Sequence, residues 1–550
     1  MQRISTTINN LKKASAWDIL SLCLISMVVT IIIVRWENFP FFVDIYYHLS
    51  IMEMFDQAGG VVIWDFLQYA PAGRANLYPP FLHILMLGMY KIGFSIDLIG
   101  KIVSSIMFPL TMAATWWLMR KVFGAGAAFV SISFLLASWE FFYTTAVVSA
   151  SAFATVLALL TYYAIYKKKY AAAAVLMTFC LYTHLSYPHL IAASLVLWAI
   201  LDRPVRKGIL KTLLASYLLF SPWLANIILN YGSLGMTSMA GRILDVNLWL
   251  LASMLLGVAF STYALVKKGD KSYIIPLAML SAMMPILFTY SSRFVTHAAV
   301  PMALLCGAGL SGAAGLVSKR FGGRGVHLGT AILLISSIIA LTVAVSYDFD
   351  MGQDMINNKV PNMQERDIPG GVPSPDNNYL DPNYQEYGTL PEPKQNVQGP
   401  YQDGVRDPIK KDRLQTDQAT LFILYYGDIL RSPSHEGIKY QSLISEIEDL
   451  TDPDDIIVVP QGANGCIITS LTGRATTSGM FHEVTSEEGA IPKVQGQIPK
   501  AYELPGGTMV IDGALLDNEI PTAFPYHLSF LLILAGMAVM IYDFKVSREE

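Results

Sequence analysis

Long apolar runs separated by short polar segments recur along most of the chain. A helix needs roughly 17 to 25 apolar residues to cross a bilayer, and the pattern predicts about twelve such helices. They cover residues 17–34, 99–119, 124–139, 144–166, 170–186, 187–201, 209–229, 246–266, 272–290, 294–317, 326–346 and 525–542. The sequence therefore predicts a polytopic α-helical membrane protein.

Positive charges between the apolar runs predict the orientation of the chain. If the N-terminus is cytoplasmic, every second loop should be rich in lysine and arginine. The basic residues that meet this expectation are Arg120, Lys121, Lys167, Lys168, Lys169, Arg203, Arg206, Lys207, Lys267, Lys268, Lys271, Lys319, Arg320, Arg324, Lys545 and Arg548. Both termini are thus predicted to be cytoplasmic. One missed or invented span would reverse every later loop, so this agreement supports the count.

The first outer loop, residues 36–98, is too long for a simple connector. Its segment from Tyr78 to Phe94 could be counted as a further span, but that would reverse the side of the basic loops that follow. The segment is short and contains His83 and Lys91. We interpret it as a helix at the outer surface that begins after Pro79 and Pro80.

Composition agrees with a membrane protein. Hydrophobic residues make up 53% of the 550 residues, charged residues 15%, and the mean hydropathy is +0.44. The net charge of −4 and the lack of a basic tract give no indication of nucleic-acid binding. The four cysteines are far apart in the sequence, which argues against a disulfide framework or a metal knuckle. The first apolar run is not followed by a small-residue cleavage site, so it is predicted to be a retained span.

The composition changes after residue 346, where the predicted transmembrane domain ends. Residues 347–418 are rich in Pro, Asn, Asp and Gly and predict an irregular outer linker. Residues 419–524 combine an amphipathic helix near 440–450 with an apolar strand at 455–460, which predicts a small outer α/β domain. Residues 525–550 form the last span and a cytoplasmic tail.

Two segments within that domain have more than one interpretation. The segment 462–465 resembles a phosphate-binding loop, but it lacks the lysine of such loops, and no helix is expected after it. The second segment consists of Thr472, Gly473 and Arg474. It is either a surface turn or a site at which the arginine contacts an acceptor.

Polar residues at the outer ends of the spans are the candidate site. Asp44 opens the segment Asp44-Ile45-Tyr46-Tyr47-His48-Leu49, just after the first apolar run. A carboxylate near lipid is usually kept there with a cation, a metal or a substrate, although it can also be a solvated turn residue. The same outer side is predicted for His48, Glu140, His184, His189 and Arg293. The histidines could instead be interfacial hydrogen-bonding residues.

Arg293 differs from the other outer residues because positive charge is scarce in the short outer loops. An arginine at the start of an apolar run either extends its charge to the membrane surface or holds an anion, and its planar fork suits phosphate. An acid and an arginine on the same outer face favour a site for a lipid phosphate.

Several of these features together resemble the GT-C superfamily of polyprenyl-phosphate-dependent membrane glycosyltransferases. They are Asp44 after the first span, Gly73-Arg74 with Tyr78-Pro79-Pro80 in the long loop, Arg120-Lys121-Val122-Phe123-Gly124, and Arg293-Phe294. The segment Asp44 to Leu49 resembles the first acidic motif of archaeal oligosaccharyltransferase catalytic subunits. The Tyr-Pro-Pro loop and the Arg-Lys-Val-Phe-Gly ending resemble the protein mannosyltransferase and aminoarabinose transferase branch.

The resemblance implies an inverting glycosyltransferase that moves a sugar from a polyprenyl (dolichyl) phosphate to a protein or glycan acceptor outside the cell membrane. Asp44 would be the catalytic base or, in the oligosaccharyltransferase mode, a divalent-metal ligand that positions the acceptor amide, and Arg293 would bind the donor phosphate. Further contacts with substrate or metal would come from Arg74, Tyr78, His48, Glu140, His184 and His189.

The chain also departs from the oligosaccharyltransferase pattern. No second acid follows Glu140, and no Trp-Trp-Asp motif occurs after residue 345. A metal site made of Asp44 and Glu140 would be short of carboxylates, so we expect an enzyme that needs no cofactor. The alternatives are an oligosaccharyltransferase-like enzyme that depends on Mg²⁺ or Mn²⁺, a non-catalytic membrane subunit, or a transporter.

Overall fold

The computed structural model describes residues 15–34, 36, 44–137, 149–233, 248–289, 291–356, 441–459, 462–479, 501–505, 508–511 and 521–546. The first part contains α1 (Ala16–Val34), α2 (Asp44–Gln57), β1 (Gly60–Val61), β2 (Trp64–Asp65), β3 (Arg74–Ala75), α3 (Phe81–Lys91), α4 (Ile96–Val122), α5 (Ala125–Leu136), α6 (Ser149–Tyr166), α7 (Tyr170–Leu181) and α8 (Tyr187–Leu201). The second part contains α9 (Arg203–Leu229), α10 (Leu248–Lys268), α11 (Ile274–Thr289), α12 (Ser291–Ile356), α13 (Gln441–Leu450), β4 (Ile456–Ile457), α14 (Gly462–Thr472), β5 (Ala475–Thr476), β6 (Ala501–Glu503), β7 (Met509–Ile511), β8 (Phe524–Pro525) and α15 (Tyr526–Val546).

Seven helices in the described part of the chain are long and apolar enough to cross a membrane. They are α1, α4, α9, α10, α11 with the turn before it, α12 and α15. Five shorter apolar helices, α3 and α5 to α8, accompany them. Each apolar run predicted to span the membrane coincides with a helix, so the protein is a polytopic membrane protein. The number of crossings and the side of each terminus stay predictions.

The longest helix, α12, is interrupted at Gly322. This residue has φ 58° and ψ −135°, a conformation that residues with a side chain rarely adopt. The interruption separates the two predicted spans 294–317 and 326–346. The helix then continues to Ile356, so the expected start of an irregular segment at residue 347 is wrong. Polarity rises there, but no proline occurs before Pro361 to stop the helix. Residues 357–418 of the predicted linker lie outside the described residues.

The α/β unit is built on a four-stranded mixed sheet in the order β5-β4-β7-β6. Strands β4 and β5 are parallel, and the other pairs are antiparallel. The expectation that no helix follows the Gly-rich segment 462–465 is wrong, because α14 begins there. Its successive apolar residues face two different cores: Cys466 and Ile467 pack with α2, whereas Ile468 packs under the sheet. A helix buried on two sides lacks the amphipathic period that the sequence analysis required.

The α/β unit packs directly on the first loop. The amide of Thr476 in β5 donates to the carbonyl of Leu67 at 2.8 Å, and the amide of Ala70 donates to the carbonyl of Thr476 at 2.9 Å. The loop therefore continues the sheet beyond β5. Next to α15, β1 pairs with β8, with Gly60 opposite Pro525. Helix α2 is thus held between the transmembrane helices and the α/β unit.

Candidate active site

Asp44 is the first residue of α2 and is half-buried. A carboxylate in the first turn of a helix is favoured by the partial positive charge of the helix N-terminus. His48 lies one helical turn later, so both residues are on the same face of α2. His48 is buried, with 3% of its surface exposed.

His48 is paired with His83 of α3. His48 Nδ1 lies 2.9 Å from His83 Nε2, and both rings are buried. Burial lowers the pKa of His48 to about 3 and lowers the pKa of His83 well below its ordinary value. Among the described residues, His83 Nδ1 has no hydrogen-bond partner. Since an unpaired buried N–H is rarer than an unpaired acceptor, we assign the proton to His83 Nε2, which donates to His48. The pair is therefore neutral.

Tyr78 connects this pair to the transmembrane helices. Its ring centroid lies 5.2 Å from that of His48 and 6.0 Å from that of His184. The ring centroid of His184 in turn lies 6.1 Å from that of His297 in α12. His48, Tyr78, His184 and His297 thus form a continuous row of rings, called here the ring row, from α2 to α12. Neither His297 nor a role for His83 was predicted from the sequence, because a histidine inside an apolar helix carries no local sign of its partners.

Beyond the ring row, His297 makes further contacts in the transmembrane core. The ring of Tyr187 in α8 stacks on His297 with centroids 4.7 Å apart, and Ser151 Oγ of α6 lies 3.3 Å from His297 Nδ1. His184 lies in the turn between α7 and α8 and accepts hydrogen bonds from the backbone amides that open α8. The site is therefore formed by five helices (α2, α3, α6, α8 and α12), the turn between α7 and α8, and the first loop.

Arg293 is in the first turn of α12, one helical turn before His297. Its side chain lies outside the described part of the structure, and so does the whole of Glu140. The backbone nevertheless shows a parallel arrangement. Asp44 comes one turn before His48 at one end of the ring row, and Arg293 comes one turn before His297 at the other. The ring row thus runs from the helical turn after Asp44 to the helical turn after Arg293.

Arg74 makes its described contacts inside the protein. Its Nε lies 3.5 Å from the Asp65 carboxylate, which the β2–β3 hairpin places opposite it. Its guanidinium lies 4.5 Å from the centre of the Tyr69 ring and donates to Gln68 Oε1 at 3.4 Å. Burial raises the pKa of the Asp65 carboxyl against the opposing effect of Arg74. These contacts hold the first loop against the α/β unit, since Gln68 also accepts from the Cys466 thiol.

His189 and Arg474 make other contacts. His189 Nδ1 lies 2.8 Å from the hydroxyl of Tyr217 in α9. Arg474 donates to the side chain and the carbonyl of Thr451, at 3.1 and 2.9 Å, and so closes a turn of the α/β unit. Of the predicted contact residues, the ring row brings together His48, Tyr78 and His184, whereas Arg74 and His189 are engaged elsewhere.

No group of three or more histidine, cysteine, aspartate or glutamate residues is placed to hold a metal ion within the described ranges. Glu140, the second acid of the metal-dependent alternative, is not among those residues. The expectation that no metal is needed therefore stays a prediction.

Comparison with solved structures identifies the architecture. ArnT from Cupriavidus metallidurans, solved bound to undecaprenyl phosphate, aligns over 93% of this chain and 100% of its own, with 11% identity and a TM-score of 0.50. The chain therefore has the same fold as ArnT, which is one of the GT-C membrane glycosyltransferases. The resemblance expected from the motifs is thus confirmed at the level of the fold.

Other solved structures are also similar. Archaeal oligosaccharyltransferase AglB from Archaeoglobus fulgidus, in complex with an inhibitory peptide and a dolichol-phosphate, aligns over 83% of this chain with 13% identity and a TM-score of 0.47. The match spans 64% of that chain, so it leaves more than a third of the archaeal protein without a counterpart. No protein-family model and no curated protein matches the sequence.

Proposed function

We propose that this protein is a membrane glycosyltransferase that moves a sugar from a polyprenyl (dolichyl) phosphate to an acceptor on the outer face of the membrane, with inversion. Asp44 is the base and Arg293 binds the donor phosphate. The observation that carries the proposal is the ring row, because it connects the helical turn after Asp44 to the helical turn after Arg293.

The chemistry needs one base and one phosphate-binding group. The Asp44 carboxylate takes the proton of the acceptor hydroxyl or amide as the acceptor oxygen or nitrogen forms its bond to the anomeric carbon. The bond from the anomeric carbon to the phosphate oxygen breaks, and its electron pair stays on the phosphate. Arg293 stabilises the departing charge. A single displacement inverts the anomeric centre and needs no second carboxylate.

Helix termini support these roles. Asp44 and Arg293 each lie in the first turn of a helix, α2 and α12. Amide groups in the first turn of a helix have no partner within that helix and favour an anion such as phosphate, and an arginine adds a bidentate donor. ArnT, which shares the fold, was solved with undecaprenyl phosphate, a lipid of the proposed donor class. The basic loops support an outer location for both residues.

The test is transfer of radiolabelled sugar from a panel of polyprenyl-phosphate sugars by the purified protein in lipid nanodiscs. Asp44→Asn is expected to lower kcat about 10²- to 10⁴-fold, the range for loss of a general base. Arg293→Ala is expected to lower it about 10²- to 10³-fold. Asp97→Asn is the matched control, since Asp97 is an exposed acid of the same loop paired with Lys101.

Full activity of Asp44→Asn would contradict the assignment of the base. Activity that requires added Mg²⁺ or Mn²⁺ would instead favour the oligosaccharyltransferase-like alternative. A wild-type protein that binds polyprenyl phosphate but transfers no sugar from any donor would indicate a non-catalytic subunit.

A further inference from the structure

Helix α9 holds part of the first loop through two side chains. The indole Nε1 of Trp223 donates to the carbonyl of Leu77 at 3.2 Å, and the amide Nδ2 of Asn226 donates to the carbonyl of Asn76 at 2.9 Å. Both side chains of α9 are buried. One side of α9, close to its C-terminal end, is therefore covered by irregular backbone of the first loop.

This contact lies within a helix that is long and apolar enough to cross the membrane. Before the contact along α9 comes the exposed side chain of Leu219, and after it come those of Ile228 and Leu229. At 1.5 Å per residue, Asn226 lies about 5 Å and Trp223 about 9 Å before Leu229 along the helix axis. Since apolar side chains are exposed on α9 both before and after the contact, the first loop meets α9 at a depth where that helix faces lipid.

Non-helical backbone at that depth has no water to bond with, so its polar groups need partners within the protein. The first loop meets this requirement around Asn76. The backbone amide of Asn76 donates to the carbonyl of Ile63 at 2.8 Å, and its side-chain Nδ2 donates to the carbonyl of Val62 at 3.0 Å. The carbonyls of Asn76 and Leu77 accept from α9. These backbone groups are thus all paired within the protein.

Ile63 and Trp64, beside this segment, present apolar surface outward. Ile63 is 55% exposed and Trp64 is 41% exposed, whereas the next residue, Asp65, is buried against Arg74. The indole Nε1 of Trp64 donates to the carbonyl of Ala72 at 3.3 Å, so its polar atom already has a partner within the protein. Tryptophan is also enriched at the boundary between membrane and water. An exposed apolar pair on a loop at this depth fits acyl chains better than water.

We propose that the first loop is set into the bilayer leaflet at the C-terminal end of α9 and that Ile63 and Trp64 contact the acyl chains of that leaflet. The partner is lipid, because the loop that carries these residues is hydrogen-bonded to α9 between exposed apolar residues of that helix. The inference does not depend on the proposed function. It nevertheless bears on the site, because Tyr78 of the ring row follows Leu77, and the contact with α9 sets how close the ring row lies to the lipid headgroups.

The test is the accessibility of a nitroxide label at Ile63→Cys in the full-length protein in lipid nanodiscs. The background is Cys23→Ser, because Cys23 is exposed and the other three cysteines are buried. Electron paramagnetic resonance compares collisions of the label with oxygen, which concentrates in lipid, and with a polar nickel chelate, which stays in water. Leu229→Cys is the lipid-facing control, and Leu450→Cys, at an exposed apolar residue of the α/β unit, is the control in water.

If the loop is set into the leaflet, the label at Ile63 should behave like the label at Leu229. Its ratio of oxygen to nickel collisions is expected to be at least about tenfold higher than that of the label at Leu450, because a polar chelate is costly to transfer into an apolar environment. A ratio equal to that at Leu450 would place the loop in water and overturn the inference. Low collision rates with both reagents would also overturn it, since they would show that protein covers Ile63, for example residues 234–247, which lie outside the described ranges.

Fluorescence of Trp64 gives a second measurement that needs no label. The difference in emission between the wild-type protein and Trp64→Phe isolates the emission of this residue. In nanodiscs made of lipids brominated in their acyl chains, that difference is expected to be largely lost, whereas iodide in the water should leave it unchanged. Quenching by iodide without quenching by the brominated lipid would show that Trp64 faces water and would overturn the inference.

Discussion

Lowering the pH from 7 to 5 is expected to weaken the packing of α2 because His48 and His83 are buried as neutral rings. When the packing around α2 opens locally, an exposed histidine has a pKa of about 6.5, whereas burial lowers the pKa of His48 to about 3 in the folded state. Between these two pH values the opened state binds more protons than the folded state. The contribution of the buried neutral ring to stability is therefore fully present above about pH 6.5 and is lost as the pH falls toward about 3.

The size of the effect follows from the same values. Where opening takes up one proton, each unit by which the pH falls lowers the free energy of opening by about 1.4 kcal/mol. From pH 6.5 to pH 5, His48 alone thus removes about 2 kcal/mol, and the complete loss near pH 3 is about 5 kcal/mol. His83 acts in the same direction, since its pKa is also lowered by burial and by its neighbour His48.

Cys466 can report this opening. Its thiol is fully buried in the core that α14 shares with α2. Labelling by a thiol reagent requires a local opening, so the rate measures the free energy of that opening. After correction for the reactivity of a free cysteine peptide at each pH, labelling of Cys466 should be at least about 30-fold faster at pH 5 than at pH 7, since His48 alone contributes about 2 kcal/mol. Mass spectrometry of the labelled peptide separates Cys466 from the other cysteines.

The matched variant is His48→Asn with His83→Gln. The two amides retain a hydrogen bond close to the positions of Nδ1 and Nε2, but they do not titrate. The pH effect on Cys466 labelling should largely disappear in this variant and persist in His327→Gln, which removes an exposed histidine. If the double variant keeps the 30-fold effect, the reasoning from the neutral pair is wrong.

Two further changes test how the first loop is held. Asp65→Leu removes the carboxylate that faces the buried Arg74 guanidinium and is expected to cost about 3 kcal/mol of stability, whereas adding Arg74→Met should return at least half of it. Thermal unfolding in detergent compares the two, and a double variant no better than the single one would contradict this. Gly479→Ala places a methyl group against Gln68 and should speed labelling of Cys466 about tenfold. The increase should be smaller in a Gln68→Gly background, which removes both the Oε1 and the Cβ that the added methyl group would meet; an equal increase would show that the clash is elsewhere.

The helices of the membrane domain could be predicted from the sequence because lipid imposes a simple rule. Every backbone N–H and C=O group in the bilayer must form its hydrogen bond within its own helix, and the side chains around it must be apolar. Each span is therefore visible in the sequence as a local apolar run. The proline pair Pro79-Pro80 likewise marked the start of α3, and the break at Gly322 fell between two predicted spans. Helix α14 was missed because its apolar residues face two cores instead of one.

The site was predictable only in part. Asp44 and Arg293 stood out because a charge beside an apolar run is costly. The sequence also indicated that His48, Tyr78 and His184 belong to the outer side. It contained no sign that Arg74 would turn inward to Asp65, since the partner is chosen by the β2–β3 register.

Local hydrophobicity and charge thus determined the class of protein, the order of its helices and the two residues proposed to do the chemistry. The tertiary structure alone decided the pairing of His48 with His83 and the ring row that ends at His297. These contacts join residues that are far apart in the sequence, and a histidine's protonation depends on the partners that folding brings to it. Burial and hydrogen bonding are properties of the packed chain, so no local pattern could record them.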